Sequence, residues 1–436
     1  MKKLLAVTIS ILFVYFAFGL NVIFLVPDGM STSQLFLASI LEGKVLTTMT
    51  LPYTGIVTTY SADSWVTDSA PAATAFFSGF KTLNKAIGTL PNGESIESIF
   101  ELAKKAGYKI GIAVTCQITH ATPAAVFAHV SNRNDELTIA KQFVESEVVD
   151  VAFGGGWQWF LPEVKGGVRK DGLDLIKQLT DKGYKYINNV EELTKLSAKT
   201  DKVVGLFAKN PLDPVAERSS QQPTLDLMTK KALEILSESG KPFMLMVEGS
   251  QIDWECHNND FYGVWKEVIE FDNAVKVAIE FAKKDGNTLV IVAGDHETGG
   301  LSLSAGGYTI NVEQARQARG TAQMFLKEYK IDNKESFVKG LKDWYGITMT
   351  DAEYETLKKV PEKNLRRELS RYISFKLGFG WTAYDHTAQP VVIYAYGPGA
   401  NYFTGVMDNT DVAKLILKLT NLKTIAFPKV SSTTGY

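Results

Sequence analysis

The sequence predicts an α/β fold: a doubly wound, mostly parallel central sheet with helices on both faces. Short runs of buried aliphatic residues recur along the chain, and each is followed by a polar or glycine-rich turn. Continuous apolar runs are typical of parallel strands that are covered on both faces, and helical segments lie between them. The predicted strands are 21–26, 109–115, 148–153, 242–247, 288–293 and 390–396.

Three predicted helices separate these strands. The segment 95–106 has a Ser-x-x-Glu pattern near its start, which is typical of a helix start, and Gly107 stands where a helix would end. Segments 224–239 and 264–284 repeat apolar residues at helical spacing. Strands that alternate with helices favour a sheet wound on both faces.

One charged, helix-rich stretch interrupts this alternation. Residues from about 301 to 385 show no regular succession of strand and helix, and we interpret them as an insertion near the sheet edge. The whole of 20–428 is therefore predicted to form one domain. The polar residues 429–436 are predicted to be a mobile tail.

The N-terminal segment 1–19 has the features of a secretory signal peptide. Two lysines precede an uncharged apolar stretch, and small residues suit cleavage after Gly19. An uncleaved membrane anchor is the alternative, because the apolar run continues to Val26. We favour cleavage, since residues 21–26 are needed as a strand, and the loss of two lysines moves the net charge from −2 to −4. The prediction is a protein secreted across the inner membrane, periplasmic or extracellular, without stable membrane insertion.

Composition and charge exclude several classes of protein. With 45% hydrophobic and 22% charged residues, the chain is globular and lacks the composition of a long disordered protein. A net charge of −2 gives no basic surface for nucleic acid, so an anionic ligand needs a local positive site. Cys116 and Cys256 are too few for a disulfide scaffold, and both a single disulfide and two free buried thiols remain open.

Carboxylates and histidines collect in the turns beside four of the predicted strands. An aspartate after a strand is often only a helix cap, but three of the five histidines of the chain also lie in these turns. Ligands bind beyond the carboxyl ends of strands in open α/β sheets, and aspartate with histidine is a donor set that suits zinc. There are enough donors for two zinc ions and a third, harder metal. The residues are Asp28, Glu248, Asp253, His257, Asp295, His296 and His386.

A serine stands at the start of another predicted helix. Four alanines and Pro71 within 67–75 predict a helix that begins at or just before Ser69. The ordinary role of such a serine is to cap the helix. A helix N-terminus also presents amide groups to an anion, and a neighbouring metal lowers the pKa of an alcohol. Ser69 is therefore a candidate nucleophile.

A third concentration of polar residues spans 119–133. Arg133 is either a solvated surface arginine or a bidentate clamp on two phosphate oxygens. His129 lies in an apolar stretch, and we predict a structural role for it.

These motifs, taken in this order, resemble the alkaline phosphatase family. Six ordered motifs are far more specific than any one of them, and they extend over nearly the whole chain after the predicted signal peptide. The motifs are 26–30, 66–70, 121–125, 247–253, 294–300 and 386–387.

The resemblance implies a metal-dependent phosphomonoesterase of broad specificity and alkaline pH optimum, which acts through a phosphoserine at Ser69. It implies that Arg133 clamps the phosphate, with Asp68 and Trp254 also at the substrate, and that the protein is a homodimer. It further implies two zinc ions and a third metal, which is magnesium in typical members. The implied ligands are Asp253, His257 and His386 for one zinc, Asp28, Ser69, Asp295 and His296 for the second, and Asp28, Thr122 and Glu248 for the third metal.

Two positions depart from the best-known enterobacterial member of that family. His120 stands where that enzyme has an aspartate near the third metal, and Trp254 replaces a lysine that contacts phosphate through water. A nitrogen donor shifts metal preference from magnesium toward zinc or cobalt. His120 is therefore a candidate ligand of the third metal.

Other functions remain as alternatives. A phosphodiesterase of the same superfamily has no need of the Arg133 clamp, and a sulfatase needs a Cys/Ser-x-Pro-x-Arg pattern whose arginine is absent after Ser69. A phosphate-transferring mutase fits the fold but not a secretory signal. A protein that binds phosphate or metal without turnover would need the arginine and the helix N-terminus, but no nucleophile beside metals.

Overall fold

The computed structural model describes residues 19–422, so the predicted tail and all of the predicted signal peptide except Gly19 lie outside the described residues. The strands are β1 Asn21–Pro27, β2 Tyr53–Thr58, β3 Lys109–Gln117, β4 Val151–Gly155, β5 Lys185–Ile187, β6 Val203–Leu206, β7 Phe243–Gly249, β8 Thr288–Ala293, β9 Glu297–Thr298, β10 Leu301–Ser302, β11 Gly380–Trp381, β12 His386–Thr387, β13 Val391–Tyr396 and β14 Gly405–Asp408.

Helices fill most of the connections between these strands. They are α1 Thr32–Glu42, α2 Ser69–Ser78, α3 Ile99–Lys105, α4 Ala121–Ala124, α5 Glu136–Ser146, α6 Leu175–Asp181, α7 Val190–Thr194, α8 Leu225–Glu238, α9 Gln251–His257, α10 Phe261–Asp285, α11 Val312–Arg316, α12 Ala322–Glu328, α13 Lys334–Tyr345, α14 Asp351–Lys358, α15 Glu362–Lys376 and α16 Asn409–Thr420. Over residues 19–422, no helix combines the length and the apolar character needed to cross a bilayer.

One ten-stranded sheet organises the chain, in the order β14-β2-β13-β8-β1-β7-β3-β4-β6-β5. Neighbouring strands are parallel except at β13, which runs antiparallel to both β8 and β2. The predicted fold, a mostly parallel sheet with helices on both faces, is confirmed.

Two hydrophobic cores lie on opposite faces of the sheet. Along β1, Ile23 and Leu25 pack into the core formed with α1, α8 and α10, whereas Phe24 packs into the core formed with α2, α3, α5 and α16. The rings of Phe76 and Phe77 on α2 lie 5.3 and 5.4 Å from the ring of Phe24, edge to face. These contacts pack the last turn of α2 against the middle of β1, two elements whose other ends lead to the candidate site.

Some predicted boundaries were wrong. The helix predicted at 95–106 begins at Ile99, because the capping box is formed by Ser98 and Glu101. The strand predicted at 148–153 is β4, which spans Val151–Gly155. Four strands of the ten-stranded sheet, β2, β5, β6 and β14, were not predicted, and neither were the two-residue strands β9 to β12. β2, β5 and β14 are short and partly exposed near the two edges of the sheet, so they lack the continuous apolar run of a buried strand.

Helices α11 to α15 occupy the connection between β8 and β13, where the insertion was predicted. Two short antiparallel pairs, β9 with β12 and β10 with β11, join the two ends of this connection. Its apolar residues, among them Phe325, Phe337 and Leu369, pack into the same core as α10.

Candidate active site

The strand order brings the acidic turns together. β8, β1, β7 and β3 are consecutive parallel neighbours, so their carboxyl ends lie side by side. Asp295 follows β8, Asp28 follows β1, Glu248 lies at the end of β7 and His120 follows β3. Because β13 is antiparallel, the segment before it, which contains His386, enters from the same side. This edge is where α/β sheets bind ligands.

The first group of candidate ligands lies on and beside α9. His257 Nε2 is 3.3 Å from Asp253 Oδ2, one helical turn away as predicted, and His386 Nε2 is 3.6 Å from Asp253 Oδ1. The Nδ1 atoms of His257 and His386 lie 2.5 and 2.8 Å from the backbone oxygens of Tyr384 and Thr67. A proton on Nδ1 that is donated to these carbonyls leaves both Nε2 atoms free to bind a metal.

The second group surrounds His296. Its Nε2 lies 3.4 Å from Asp28 Oδ1 and 3.4 Å from Asp295 Oδ2, so the adjacent residues 295 and 296 do reach the same point. The backbone N–H groups of Gly29 and His296 donate to Asp295 Oδ1 at 3.1 Å. Both carboxylate oxygens of Asp28 and Oδ2 of Asp295 are buried without a hydrogen-bond partner. Buried carboxylate oxygens of this kind fit a bound cation.

Ser69 is the first residue of α2, as predicted, and is buried. Its Oγ lies 3.2 Å from His296 Nε2, at the edge of the second group. Asp68 is the N-cap, and its Oδ1 accepts the N–H of Ala70 at 2.7 Å. The hydroxyl therefore stands where the N-terminal amides of a ten-residue helix and the candidate metal ligands meet.

Arg133 is held beside this helix N-terminus by two neighbours. Its Nη1 donates to Asp68 Oδ1 at 3.3 Å, and its Nη2 donates to His120 Nε2 at 2.8 Å. The ring of Trp254 lies edge to face with His120, at a centroid distance of 5.7 Å. Asp68 thus contacts both the side chain of Arg133 and the first turn of α2, so it holds the arginine beside the start of the helix.

The third group centres on Glu248. Cys116, His120 and Glu248 each place a possible ligand atom within 4.8 Å of the others. Glu248 Oε1 and Thr122 Oγ1 are buried and have no hydrogen-bond partner. The predicted ligands Glu248, Thr122 and His120 are thus all at this end of the sheet, and Cys116 joins them.

Burial and mutual repulsion dominate the electrostatics of Asp28, Asp295 and Glu248. Burial, followed by the charge of Asp295, raises the pKa of Asp28 well above its ordinary value. Burial is also the main cause that raises the pKa of Asp295 to about 6 and that of Glu248 to about 8. Burial and the nearby His386 lower the pKa of His296 well below its usual range, so its ring is neutral. Neutral imidazole and crowded acids form a site that a divalent cation would stabilise.

Several supporting residues were not predicted to have a role. Thr298 Oγ1 donates to Asp253 Oδ1 at 2.5 Å and lies 3.2 Å from His296 Nδ1. Gln34 Nε2 donates to Glu297 Oε1 at 2.6 Å, which ties α1 to the loop that carries the ligands. Thr298 and Glu297 lie within the 294–300 motif, so that motif was the sequence signal that could have identified them.

The remaining predictions concern His129 and the cysteines. His129 Nδ1 lies 2.7 Å from Gly88 O and its Nε2 lies 3.0 Å from Glu101 Oε1, away from the candidate ligands, which suits the structural role expected for it. Cys116 and Cys256 are both buried free thiols.

The fold and the site together define a class: an α/β protein with a serine beside a metal-binding group at the carboxyl edge of its sheet. A family model described as alkaline phosphatase matches residues 20–422. Alkaline phosphatase 4 of Bacillus subtilis (strain 168) is 36% identical over 418 residues, which cover 92% of this chain and 88% of the relative.

Solved structures agree with this match. The cold-active alkaline phosphatase of Shewanella sp. has a TM-score of 0.82 at 31% identity, covering 92% of this chain and 99% of the other. A mutant alkaline phosphatase from the Antarctic bacterium TAB5, with magnesium bound in its M3 site, has a TM-score of 0.71 at 30% identity, covering 93% and 100%. The chain belongs to the alkaline phosphatase family, and it is a metal-dependent hydrolase of phosphate monoesters.

Proposed function

We propose that this chain hydrolyses phosphate monoesters through a covalent phosphoserine at Ser69. The observation that carries the proposal is the contact of 3.2 Å between Ser69 Oγ and His296 Nε2, which is in turn 3.4 Å from carboxylate oxygens of Asp28 and Asp295. An alcohol beside a metal-binding group needs no separate base, because the metal lowers its pKa.

Two of the ligand groups suit zinc. Each offers imidazole nitrogen and carboxylate oxygen, the donors that zinc takes in catalytic sites. When bound, zinc lowers the pKa of an alcohol or a water and offsets the negative charge of a phosphoryl group. The proposed ligands are Asp253, His257 and His386 for one ion, and Asp28, Ser69, Asp295 and His296 for the other.

A third metal would be held by Asp28, Thr122 and Glu248, with His120 as a further candidate. The partnerless oxygens of these three residues support a cation there. Magnesium is bound in the M3 site of a TAB5 mutant in which a histidine is replaced by glutamate, so magnesium is one occupant to test here. Zinc or cobalt is the alternative, because His120 contributes nitrogen.

In the proposed reaction, Ser69 Oγ attacks phosphorus and the bond from phosphorus to the alcohol oxygen breaks. Water then attacks the phosphoserine, the bond from phosphorus to Oγ breaks, and inorganic phosphate leaves. Arg133, oriented by Asp68 and His120, donates to two phosphate oxygens. Trp254 lies beside this clamp and would border the substrate. These contacts recognise the phosphate and not the alcohol, so we expect broad specificity.

The test is p-nitrophenyl phosphate hydrolysis by the protein from residue 20, stripped of metal and then supplied with zinc, magnesium or cobalt. Activity restored by zinc, rising above neutral pH and lost in Ser69→Ala is the expected result. Arg133→Ala should lower kcat/KM by about 10²–10³-fold, the size of effect seen when a charge-stabilising donor is removed. Ser78→Ala, on the last turn of the same helix, is the matched control, because its hydroxyl donates to Thr74 O and accepts the N–H of Phe80, both at the opposite end of the helix from Ser69.

Different results would point to other functions. Undiminished hydrolysis after complete metal removal would indicate a Ser69–His296 pair acting alone. Activity on bis-p-nitrophenyl phosphate or p-nitrophenyl sulfate, without monoester hydrolysis, would move the chain to a sister family. Phosphate binding without any hydrolysis would contradict the enzyme. Mass spectrometry of an acid-quenched reaction should find the added phosphoryl group on the peptide that contains Ser69.

We also propose secretion with cleavage after Gly19 and a homodimeric assembly. The support is the basic and apolar sequence of residues 1–19 for secretion, and the family resemblance for the dimer. N-terminal sequencing of the protein exported by a bacterial host, and light scattering of the purified protein, test the two statements separately. A retained leader or a monomeric mass would contradict them.

A further inference from the structure

The ligand group around Glu248 contains a sulfur atom. Cys116 Sγ lies 3.4 Å from Glu248 Oε2, and both side chains, together with His120, place possible ligand atoms within 4.8 Å of one another. Cys256, the other cysteine of the chain, is in none of the candidate metal groups found among residues 19–422.

The backbone fixes this arrangement. β3 and β7 are paired in register, with Val114 opposite Glu248, and Cys116 lies two residues further along β3. The N–H of Cys116 donates to Ser250 Oγ at 3.2 Å, which ties the end of β3 to the turn after β7. His120 follows four residues later as the N-cap of α4. Sulfur, imidazole and carboxylate therefore converge from two adjacent strand ends.

Unpartnered polar atoms point to a ligand at this place. Glu248 Oε1 and Thr122 Oγ1 are fully buried and have no hydrogen-bond partner, and His120 Nδ1 is also without one. Leaving buried polar atoms unpaired is unfavourable, so their concentration in one place needs a physical explanation. A cation that binds Glu248 and its neighbours would supply it.

We propose that Cys116 is a ligand of the third metal, and that its sulfur beside the carboxylate of Glu248 makes this site suited to zinc. Magnesium takes oxygen donors in octahedral geometry, whereas thiolate selects softer metals. On binding, the S–H bond is replaced by a bond from sulfur to the metal, and the proton is released to solvent. The proposal rests on the proposed function only in taking the group around Glu248 as a metal site.

Cobalt provides the direct test, because thiolate bound to Co²⁺ gives a charge-transfer absorption in the near ultraviolet that oxygen and nitrogen ligands do not give. The metal-stripped full protein is titrated with Co²⁺, and metal content is measured after dialysis. The variants are Cys116→Ser and, as the matched control, Cys256→Ser. X-ray absorption of the zinc-loaded protein measures the same contact, as a zinc–sulfur distance of about 2.3 Å.

The expected result is a band in the wild type and in Cys256→Ser, and none in Cys116→Ser. Cys256→Ser makes the test independent of whether Cys116→Ser folds. In Cys256→Ser the sole thiol of the chain is Cys116, so a sulfur band in that variant can come only from Cys116. Three bound metal ions and intact phosphatase activity without a sulfur band would overturn the proposal and leave the proposed function standing. A band that survives in Cys116→Ser would overturn it as well. A protein that neither binds metal nor hydrolyses phosphate monoesters would contradict both this proposal and the proposed function.

Discussion

Replacing Gly29 by alanine would test how closely the turn after β1 must approach α9. Gly29 has a φ of +73° and directly follows Asp28. An added Cβ would lie 2.8 Å from Asp253 Cα and 2.9 Å from Asp253 Oδ1. Contacts below 3.0 Å with a backbone atom cannot be relieved by rotating a side chain, so Asp253 and its helix would have to move.

The expected loss of stability has two parts. An alanine in the left-handed region costs about 1–2 kcal/mol, and overpacking of a tight contact costs about 1–3 kcal/mol more. Gly286→Ala isolates the first part, because Gly286 has a φ of +74° and nothing within 4 Å of the added Cβ. The free energy of unfolding of metal-free protein should therefore fall by about 2–5 kcal/mol in Gly29→Ala and by about 1–2 kcal/mol in the control.

The functional effect should follow from the same movement. The carboxylate oxygens of Asp253 lie 3.3 and 3.6 Å from the Nε2 atoms of His257 and His386. A displacement of Asp253 would therefore disrupt the first group of candidate zinc ligands. Denaturant midpoints in EDTA measure stability, and zinc content at fixed free zinc measures the site. Gly29→Ala should retain less zinc and lose about 10²-fold in kcat/KM, the size of effect expected for a misplacement near 1 Å. Equal zinc content and equal loss of stability in Gly29→Ala and Gly286→Ala would refute this reasoning.

Three further predictions concern stability. Burial, and then the charge of Glu270, raises the pKa of Glu267 from 4.5 to about 8. Because the unfolded chain loses this proton at lower pH than the folded protein, the free energy of unfolding falls as pH rises through that window, by up to about 1.4 kcal/mol per pH unit. Glu267→Gln should therefore be the more stable protein above pH 8 by denaturant midpoint. Arg366→Met leaves Glu255 buried and unpaired, so it should lower the free energy of unfolding by about 3–5 kcal/mol at pH 9. The double variant with Glu255→Leu should recover most of this loss, because no unpaired charge is then buried. Removal of metal by EDTA should lower the midpoint, and zinc at 100 times its Kd should restore about 2.7 kcal/mol per site.

Each of these predictions can fail clearly. A wild type and a Glu267→Gln variant with the same pH dependence would show that Glu267 is ionised in the folded state throughout. A double variant as unstable as Arg366→Met alone would show that packing, and not the unpaired charge of Glu255, is responsible. A denaturant midpoint that is unchanged by EDTA and by zinc would mean that metal bound by the acids around Asp28 does not stabilise the folded protein.

Most of the strands that could be predicted are buried on both faces, although β13, with alternating burial, was predicted and the four buried residues of β6 were not. β1, β7 and β8 have uninterrupted apolar sequences, because both faces of each strand pack against helices, and each is followed by the carboxylates of the site. β5 and β14 could not be predicted in the same way. They are the two edge strands, and partly exposed residues leave no apolar run to recognise.

The amino-acid sequence by itself determined which chemical groups follow the strands, the start of α2 at Ser69, and the helical spacing of Asp253 and His257. These features are local, so they follow from propensity and periodicity. Only the tertiary structure decided that β8, β1, β7 and β3 are neighbours, that Tyr384 and Thr67 present carbonyl oxygens to two histidines, and that Cys116 lies beside Glu248. Contacts between residues more than a hundred positions apart depend on the order of the strands in the sheet, which no local pattern encodes.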